Sequence, residues 1–261
     1  MEVHLGMRVS IAVLFLVNIF TGCLCSPEED RIINELLKTY QKYGRPGPID
    51  EAVNVSYSLS LLGIEDFSTK TDSITVDVWE TYQWTDDRLK WDSEAYGGLV
   101  NIRLPRNEIW TPDITPYNGW SVRDDWTRIV VYESGMCSWV PRHFLKFRCD
   151  RNDTDVSCKL KMGSWTFDGT KLNLDTRRDE IDTSNYATSE QFELKGTRAR
   201  RHVKTYECCP EPYIDITYTI DLGLKKPLPS SGVTVKSFGI WGSLFSGVLT
   251  SWLLHMYYRS F

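Results

Sequence analysis

The sequence predicts an all-β sandwich entered through one α-helix. Three observations predict it. A helical period of apolar residues occurs near the start and then gives way to a period of two. That alternation recurs along several stretches, as half-buried strands require. No internal repeat or low-complexity tract interrupts them, and many such strands suggest a sandwich.

In order, residues 1–25 read as a secretory signal. Arg8 precedes an apolar run from Ile11 to Phe20, and small residues follow from Gly22 to Ser26. The sandwich domain is expected over 26–224. It should open with a helix: Ser26 is a suitable N-cap, Pro27 fits the first helical position and Glu29 completes a capping box. Ile32, Ile33, Leu36, Leu37, Tyr40 and Tyr43 form its apolar stripe, and Gly44 and Pro46 stop it. Val53, Val55, Tyr57, Leu59 and Leu61 then alternate with Asn54, Ser56, Ser58 and Ser60. Ile74, Val76, Val78, Tyr82 and Trp84 repeat the pattern, broken by Glu80. Ile214, Ile216, Tyr218, Ile220 and Leu222 do so again, opposite Asp215, Thr217, Thr219 and Asp221 on a face expected to be wet. The stretch from Asp168 to Arg201 is polar with weak periodicity and reads as a long surface loop, with a strand near Gln191 to Leu194. A linker over 225–237 holds Pro227, Pro229, Ser230, Ser231 and Gly232, and a hydrophobic tail occupies 238–261. Phe238 to Tyr258 has the length of a membrane span and no Asp, Glu, Lys or Arg. Spanning, a lipid-anchor signal and a buried helix stay open for it.

Composition narrows the function. Secretion favours disulfides. Seven cysteines fall to five when Cys23 and Cys25 leave with the signal; Cys149 can pair with Cys158, Cys208 with Cys209, and Cys137 is left over, as a buried thiol in preference to an intermolecular link. Sequons at Asn54 and Asn152 suit an extracellular chain. A net charge of −5 argues against nucleic acid and favours cationic partners. Among histidines only His143, His202 and His255 follow the signal, and no hydrolase, metalloprotease, P-loop or dinucleotide motif is visible. The chain is therefore read as no enzyme, with no cofactor. Asp150, Asp153 and Asp155 lack the Gly and Glu of a calcium loop and read as solvated, so no metal is expected either.

Several residues break their own pattern. YECCPEPY, from Tyr206 to Tyr213, sets two adjacent cysteines between two tyrosines. A bond between neighbours strains the peptide that joins them, and strained bridges tend to be functional. Unrelated thiols or distant pairing are the plainer alternatives. A ring there would stiffen a hairpin tip and carry Tyr206 and Tyr213 over a ligand. Trp79 stands on the polar side of its strand, Trp165 shares parity with Lys159 and Lys161, and Tyr213 shares parity with Asp215 and Thr217. Large aromatics on wet faces need a partner, either another subunit or a ligand. Their π faces attract cations at about 0.5 to 2 kcal/mol per ring.

With VWETYQW at Val78 to Trp84, LKWD at Leu89 to Asp92, WTPDITPYN at Trp110 to Asn118, KMGSWTFD at Lys161 to Asp168, and YECCPEPY last, the chain resembles the extracellular ligand-binding domain of the Cys-loop (pentameric ligand-gated channel) family. Within that family it is most similar to the soluble invertebrate acetylcholine-binding proteins. The resemblance implies an immunoglobulin-like β-sandwich of about ten strands with an N-terminal α-helix, assembling as a ring pentamer. Tyr117, Trp165, Tyr206 and Tyr213 fall on the family's principal-face aromatics, with Cys208 and Cys209 at the tip of the closing loop. Trp79 falls on the complementary-face tryptophan, and Val130, Ser138 and Val140 on strand positions that tune ligand choice. Cys149 and Cys158 fall on the signature disulfide. The implied partners are a small cationic, acetylcholine-like ligand and four further copies of the chain.

The chain departs from channel members between Cys149 and Cys158. Its DRNDTDVS segment is shorter, polar and carries a sequon, and it lacks the apolar segment that channels press against their membrane domain. The expectation is a secreted homopentameric binding protein, with membrane attachment through the tail as a variant. A receptor-subunit ectodomain and a non-binding structural protein are the alternatives.

Overall fold

The computed structural model describes residues 27–123 and 126–225. The signal, the linker beyond Lys225 and the hydrophobic tail lie outside the described residues. Helix α1 spans Pro27–Thr39, with acidic Glu28, Glu29 and Asp30 in its first turn, where they suit the positive end of the helix dipole. Ile32 is buried, while Ile33, Leu36, Leu37 and Tyr40 pack partly against the core. The helix stops before Tyr43, which is 88% exposed rather than part of the stripe. Tyr40 is what fixes the helix end. Its hydroxyl donates to Asp86 Oδ2 at 2.6 Å and accepts from the Trp110 N–H at 3.1 Å. Arg88 binds Asp86 and also donates to the Gln41 and Gly44 carbonyls just past the helix. Burial, then the Asp86 bond, pushes the Tyr40 phenol well above its ordinary value.

Among the described residues twelve strands follow, where about ten were expected: β1 Val53–Ser68, β2 Ser73–Thr85, β3 Asn101–Leu104, β4 Ile114–Pro116, β5 Gly119–Arg123, β6 Ile129–Tyr132, β7 Met136–Trp139, β8 Arg142–Arg151, β9 Asp155–Ser164, β10 Leu172–Asp175, β11 Phe192–Tyr206 and β12 Cys209–Leu224. The main path runs β11-β12-β9-β8-β2-β7-β6-β3, and β1 lies beside β2. The fold is the immunoglobulin-like sandwich with one helix at its entrance. The apolar parity of β1, β2 and β12 points inward as the alternation requires: Val55, Tyr57, Leu61, Ile74, Val76, Val78, Tyr82, Ile216, Tyr218 and Leu222 are all buried. Tyr57 meets Tyr82 with ring centroids 5.0 Å apart and Tyr218 at 6.0 Å, while Tyr82 meets Trp139 at 4.9 Å. Glu80 breaks the β2 pattern yet is buried in the same interior. Tyr82 donates to it, and His143 Nδ1 lies 3.1 Å away.

Two expectations are corrected. The Asp168–Arg201 stretch is no continuous surface loop. Leu172–Asp175 forms β10 and pairs in parallel with β1, and the strand expected near Gln191 runs on to Tyr206 as β11. Leu172, Leu174, Ile181 and Phe192 are buried, so burial of a few apolar side chains outweighs the polar character between them. The outward face of β12 is also not uniformly wet. Asp215 and Thr219 are buried on it. Long charged side chains from the flanking strands cover that face: Lys161 of β9 reaches Asp215 at 3.0 Å, and Arg198 of β11 reaches Asp221 at 2.8 Å.

Strand β8 serves three neighbours, pairing with β5 along His143 to Phe147. Arg142 to Arg148 pair with β2, and Cys149 to Arg151 pair with β9. Cys149 and Cys158 lie directly opposite one another in that second pairing and are disulfide-bonded. Beyond them the chain turns within Asn152–Thr154. The Asn152 Oδ1 accepts from the Thr154 N–H at 2.9 Å and the Asp155 N–H at 2.7 Å, which closes the hairpin with polar groups alone.

Candidate functional site

Four of the singled-out aromatics gather on the β4–β9–β12 side of the sandwich. Tyr117 follows β4. Its N–H donates to the Lys161 carbonyl at 2.8 Å and its hydroxyl to the Ser164 carbonyl at 2.5 Å. Asn118 locks the same junction, donating to the Lys159 carbonyl and accepting from the Lys161 N–H, both at 2.8 Å. Gly163 makes room for the ring: a Cβ there would sit 2.4 Å from the Tyr117 hydroxyl. Burial first, then the charges of Asp215 and Asp113, pushes the Tyr117 phenol up to about 12.

Trp165 follows β9 and is 72% exposed, so the parity reading holds for it. A carboxylate two residues before β4's second residue holds its turn. Asp113 accepts from Ser164 Oγ at 2.6 Å, from the Thr166 N–H at 2.8 Å and from Thr166 Oγ1 at 2.7 Å. The Trp165 and Tyr117 rings meet edge-on with centroids 6.1 Å apart.

Tyr206 ends β11 and pairs across the hairpin with Cys209, leaving Glu207 and Cys208 as a two-residue turn. Tyr213 lies four residues along β12, and the two tyrosine rings are 5.6 Å apart at 67°. The main chain fastens this strand from below, where the Gly169 N–H donates to the Pro212 carbonyl at 2.6 Å. Cys208 and Cys209 are free thiols here, so the expected ring is not a feature of this structure. The turn places one cysteine at its corner and the other at the start of β12, and the Cys209 thiol engages Cys208 and Tyr213 by hydrogen bonding instead. That bond to Cys208, then burial, raises the Cys209 thiol above its ordinary value. Cys137 is a buried free thiol, pushed upward by burial.

Trp79 stands elsewhere, on the outer face of the β1–β2–β8 sheet, between Ser60 and Arg142. It is 38% exposed. Arg142 turns to Asp77, donating from Nε to Oδ1 at 3.0 Å. Val130 of β6, Ser138 of β7 and Gln83 of β2 form one cross-strand row, and exposed Val140 follows β7. Trp139 between them points inward and is buried. Among the described residues no ring contact joins Trp79 to Tyr117, Trp165, Tyr206 or Tyr213. One chain thus carries two separate walls. Asn54 and Asn152 are both exposed.

Sequence reasoning passed over the supports. Asp113 and Gly163 lie inside two quoted motifs without a role of their own. Lys161 served only to mark a polar face, although its Nζ lies 5.4 Å from the Tyr117 ring centroid. The alternation puts Asp215 on a wet face, and nothing in the spacing singles out His202. A carboxylate inside WTPDITP and a glycine before an exposed Trp were the available signals.

A two-layer sandwich with a bridge between β8 and β9 and adjacent cysteines on a long terminal hairpin defines a class of ligand-binding modules. The chain belongs to the Cys-loop family: the neurotransmitter-gated ion-channel ligand binding domain matches residues 29–224. This is a family of neurotransmitter-gated ion-channel ligand-binding domains and not an enzyme class, and the matched relatives are acetylcholine receptor subunits. The acetylcholine receptor subunit alpha-1-A of Xenopus laevis is 35% identical over 204 residues, which is 74% of this chain and 44% of that protein. The acetylcholine receptor subunit alpha-type acr-16 of Caenorhabditis elegans is 33% identical over 208 residues, 76% of this chain and 42% of the relative. The neuronal acetylcholine receptor subunit alpha-2 of Gallus gallus is 32% identical over 199 residues, 73% and 38%. The chain spans less than half the length of these curated relatives.

Proposed function

We propose that this chain binds small acetylcholine-like cations without catalysis, between Tyr117, Trp165, Tyr206 and Tyr213 of one subunit and Trp79 of the next. Cys208 and Cys209 form the tip of the hairpin that closes over the ligand, and Val130, Ser138 and Val140 line the far side. One observation carries this reading: both walls occur on one chain and do not meet within it. Identical copies in a ring, a homopentamer in this family's pattern, complete the site from their own surfaces. A cation there exchanges water for several ring faces, and the tyrosine hydroxyls keep the rim polar.

The protein acts as a secreted binding protein. The turn at Asn152–Thr154 closes with polar groups alone, and it lacks the apolar segment that the resemblance implies for channel members, which supports this reading. Asn54 and Asn152 carry glycans on its outer surface. The matched relatives favour a second reading, the ectodomain of a nicotinic-type receptor subunit. The hydrophobic tail attaches the protein to a membrane in that case. Titration of the purified protein with a quaternary ammonium ligand, with light scattering to count subunits, tests the first reading. Binding by a five-fold oligomer is expected. A monomer, or an oligomer indifferent to ammonium, would overturn it. Transcripts that continue into membrane spans would favour the second.

A further inference from the structure

Three charged or titratable side chains meet beneath the aromatic cluster. Asp215 of β12 is buried and faces two partners at once. Its Oδ2 lies 3.0 Å from Lys161 Nζ, and its Oδ1 lies 3.0 Å from His202 Nδ1. His202 and Asp215 are direct cross-strand partners in the β11–β12 hairpin. Thr217 Oγ1 completes the group, donating to Asp215 Oδ1 at 3.3 Å and lying 3.4 Å from His202 Nδ1. Lys161 is the link to the site, since its Nζ stands 5.4 Å from the Tyr117 ring centroid. The His202 side chain is 39% exposed, so a proton reaches it from solvent without opening the fold.

The charge count of this group turns on whether His202 holds one ring proton or two. Lysine and aspartate cancel. Neutral His202 adds nothing, donating its Nδ1–H to Asp215, whereas protonated His202 leaves the group singly positive. Other charged residues bear on it. Arg200 and Lys204, two residues before and after on its own strand, are exposed like charges. Arg201 turns away to the Leu174 carbonyl at 2.7 Å and Asn173 at 2.8 Å. Tyr213 is the cross-strand partner of Lys204, and Asp113 adds negative charge on the far side of Tyr117.

We propose that His202 makes cation binding at this site proton-sensitive: its protonation turns the Lys161–Asp215–His202 group positive and opposes a cationic ligand at Tyr117. The inference rests on the cation-binding reading above and specifies its regulation. By linkage, a bound cation expels the proton from His202 as strongly as the proton opposes the cation. A unit charge at this range, screened by partial exposure and by salt, changes affinity by about three- to tenfold.

The test is a titration of the intact oligomer with a quaternary ammonium ligand between about pH 5 and 8, the range in which histidine switches. Light scattering at each pH confirms that the oligomer persists. The parent should weaken about three- to tenfold toward acid. His202→Gln, which keeps a donor for Asp215, should bind tightly with a flat profile. His202→Lys, which fixes the charge, should bind weakly even at the alkaline end. A carbon isostere with tert-butyl in place of trimethylammonium should show no acid weakening in the parent. An unchanged slope in His202→Gln, or equal slopes for the ammonium and its isostere, overturns this inference alone. Failure of the parent to bind ammonium at any pH overturns the ligand reading, and this inference with it.

Discussion

The two walls of the proposed site are built in opposite ways. The Trp79 wall is part of a sheet. Its side chains stand on β2, β6 and β7, and ladder pairing sets their spacing through Gln83, Ser138 and Val130. The Tyr117–Trp165–Tyr206–Tyr213 wall stands on strand ends and a hairpin tip. Tyr117 and the Trp165 turn keep their places through specific bonds from Asp113, Asn118 and the Ser164 and Lys161 carbonyls. A wall within a sheet tolerates substitution because the backbone holds it. A wall on loops depends on each supporting group, so its losses should be larger and should spread to neighbouring rings.

The sharpest way to break this comparison is at Trp165. Trp165→Ala should weaken a quaternary ammonium ligand by about 2 kcal/mol or more, roughly 30-fold, through lost ring attraction and lost packing. Trp165→Phe should cost less. Equal binding by Trp165→Ala in an intact oligomer, measured by fluorescence titration, would assign the rings to subunit contact alone. Gly163→Ala tests dependence on support without touching a ligand-facing atom. The added methyl collides with the Tyr117 ring, and displacing that ring should weaken binding about tenfold. Circular dichroism should still show the β-sheet spectrum. Affinity like the parent's would mean that Tyr117 is free to move without consequence.

Trp79→Ala should cost less, about 1 kcal/mol or fivefold, because one ring of several is lost and the sheet beneath persists. A loss larger than that of Trp165→Ala would reverse the ranking of the walls. The smallest effect concerns alkaline stability. The Tyr117 phenol is raised from 10.0 to about 12, so the folded state keeps a proton there that the unfolded chain releases. Its contribution is whole below pH 10 and declines as pH rises toward 12. Denaturant unfolding at two alkaline pH values should show a shallower decline for Tyr117→Phe than for the parent. Tyr40 and Tyr218, also raised by burial, keep part of the slope in both.

The same contrast explains what could be read in advance. Alternation exposes a residue's face, so Trp79, Trp165 and the inward rows of β1, β2 and β12 were legible. β10 was not, because its four residues pair in parallel with β1, whose partners lie more than a hundred positions earlier. β11 was truncated because it is the last strand of the path, and Arg198, Arg200 and Lys204 protect that edge with charge at the expense of a readable period. The Tyr117 supports were missed for a third reason. Asp113 works through a turn and Gly163 through an absent side chain, and neither leaves a periodic trace.

Strand β8 has one further consequence, for how this sandwich avoids error. Because it pairs with β2 and β5 along one length and with β9 along the other, a slip of one residue would send its inward side chains outward against all three neighbours. Leu145, Phe147 and Cys149 would reach water while Phe144, Lys146 and Arg148 entered the core. The covalent link between directly opposed Cys149 and Cys158 permits only one alignment of that ladder. It therefore acts as a register pin. Once oxidised, it commits the β8–β9 ladder to a single pairing, and refolding with the bond intact starts with that ladder's misaligned alternatives already removed.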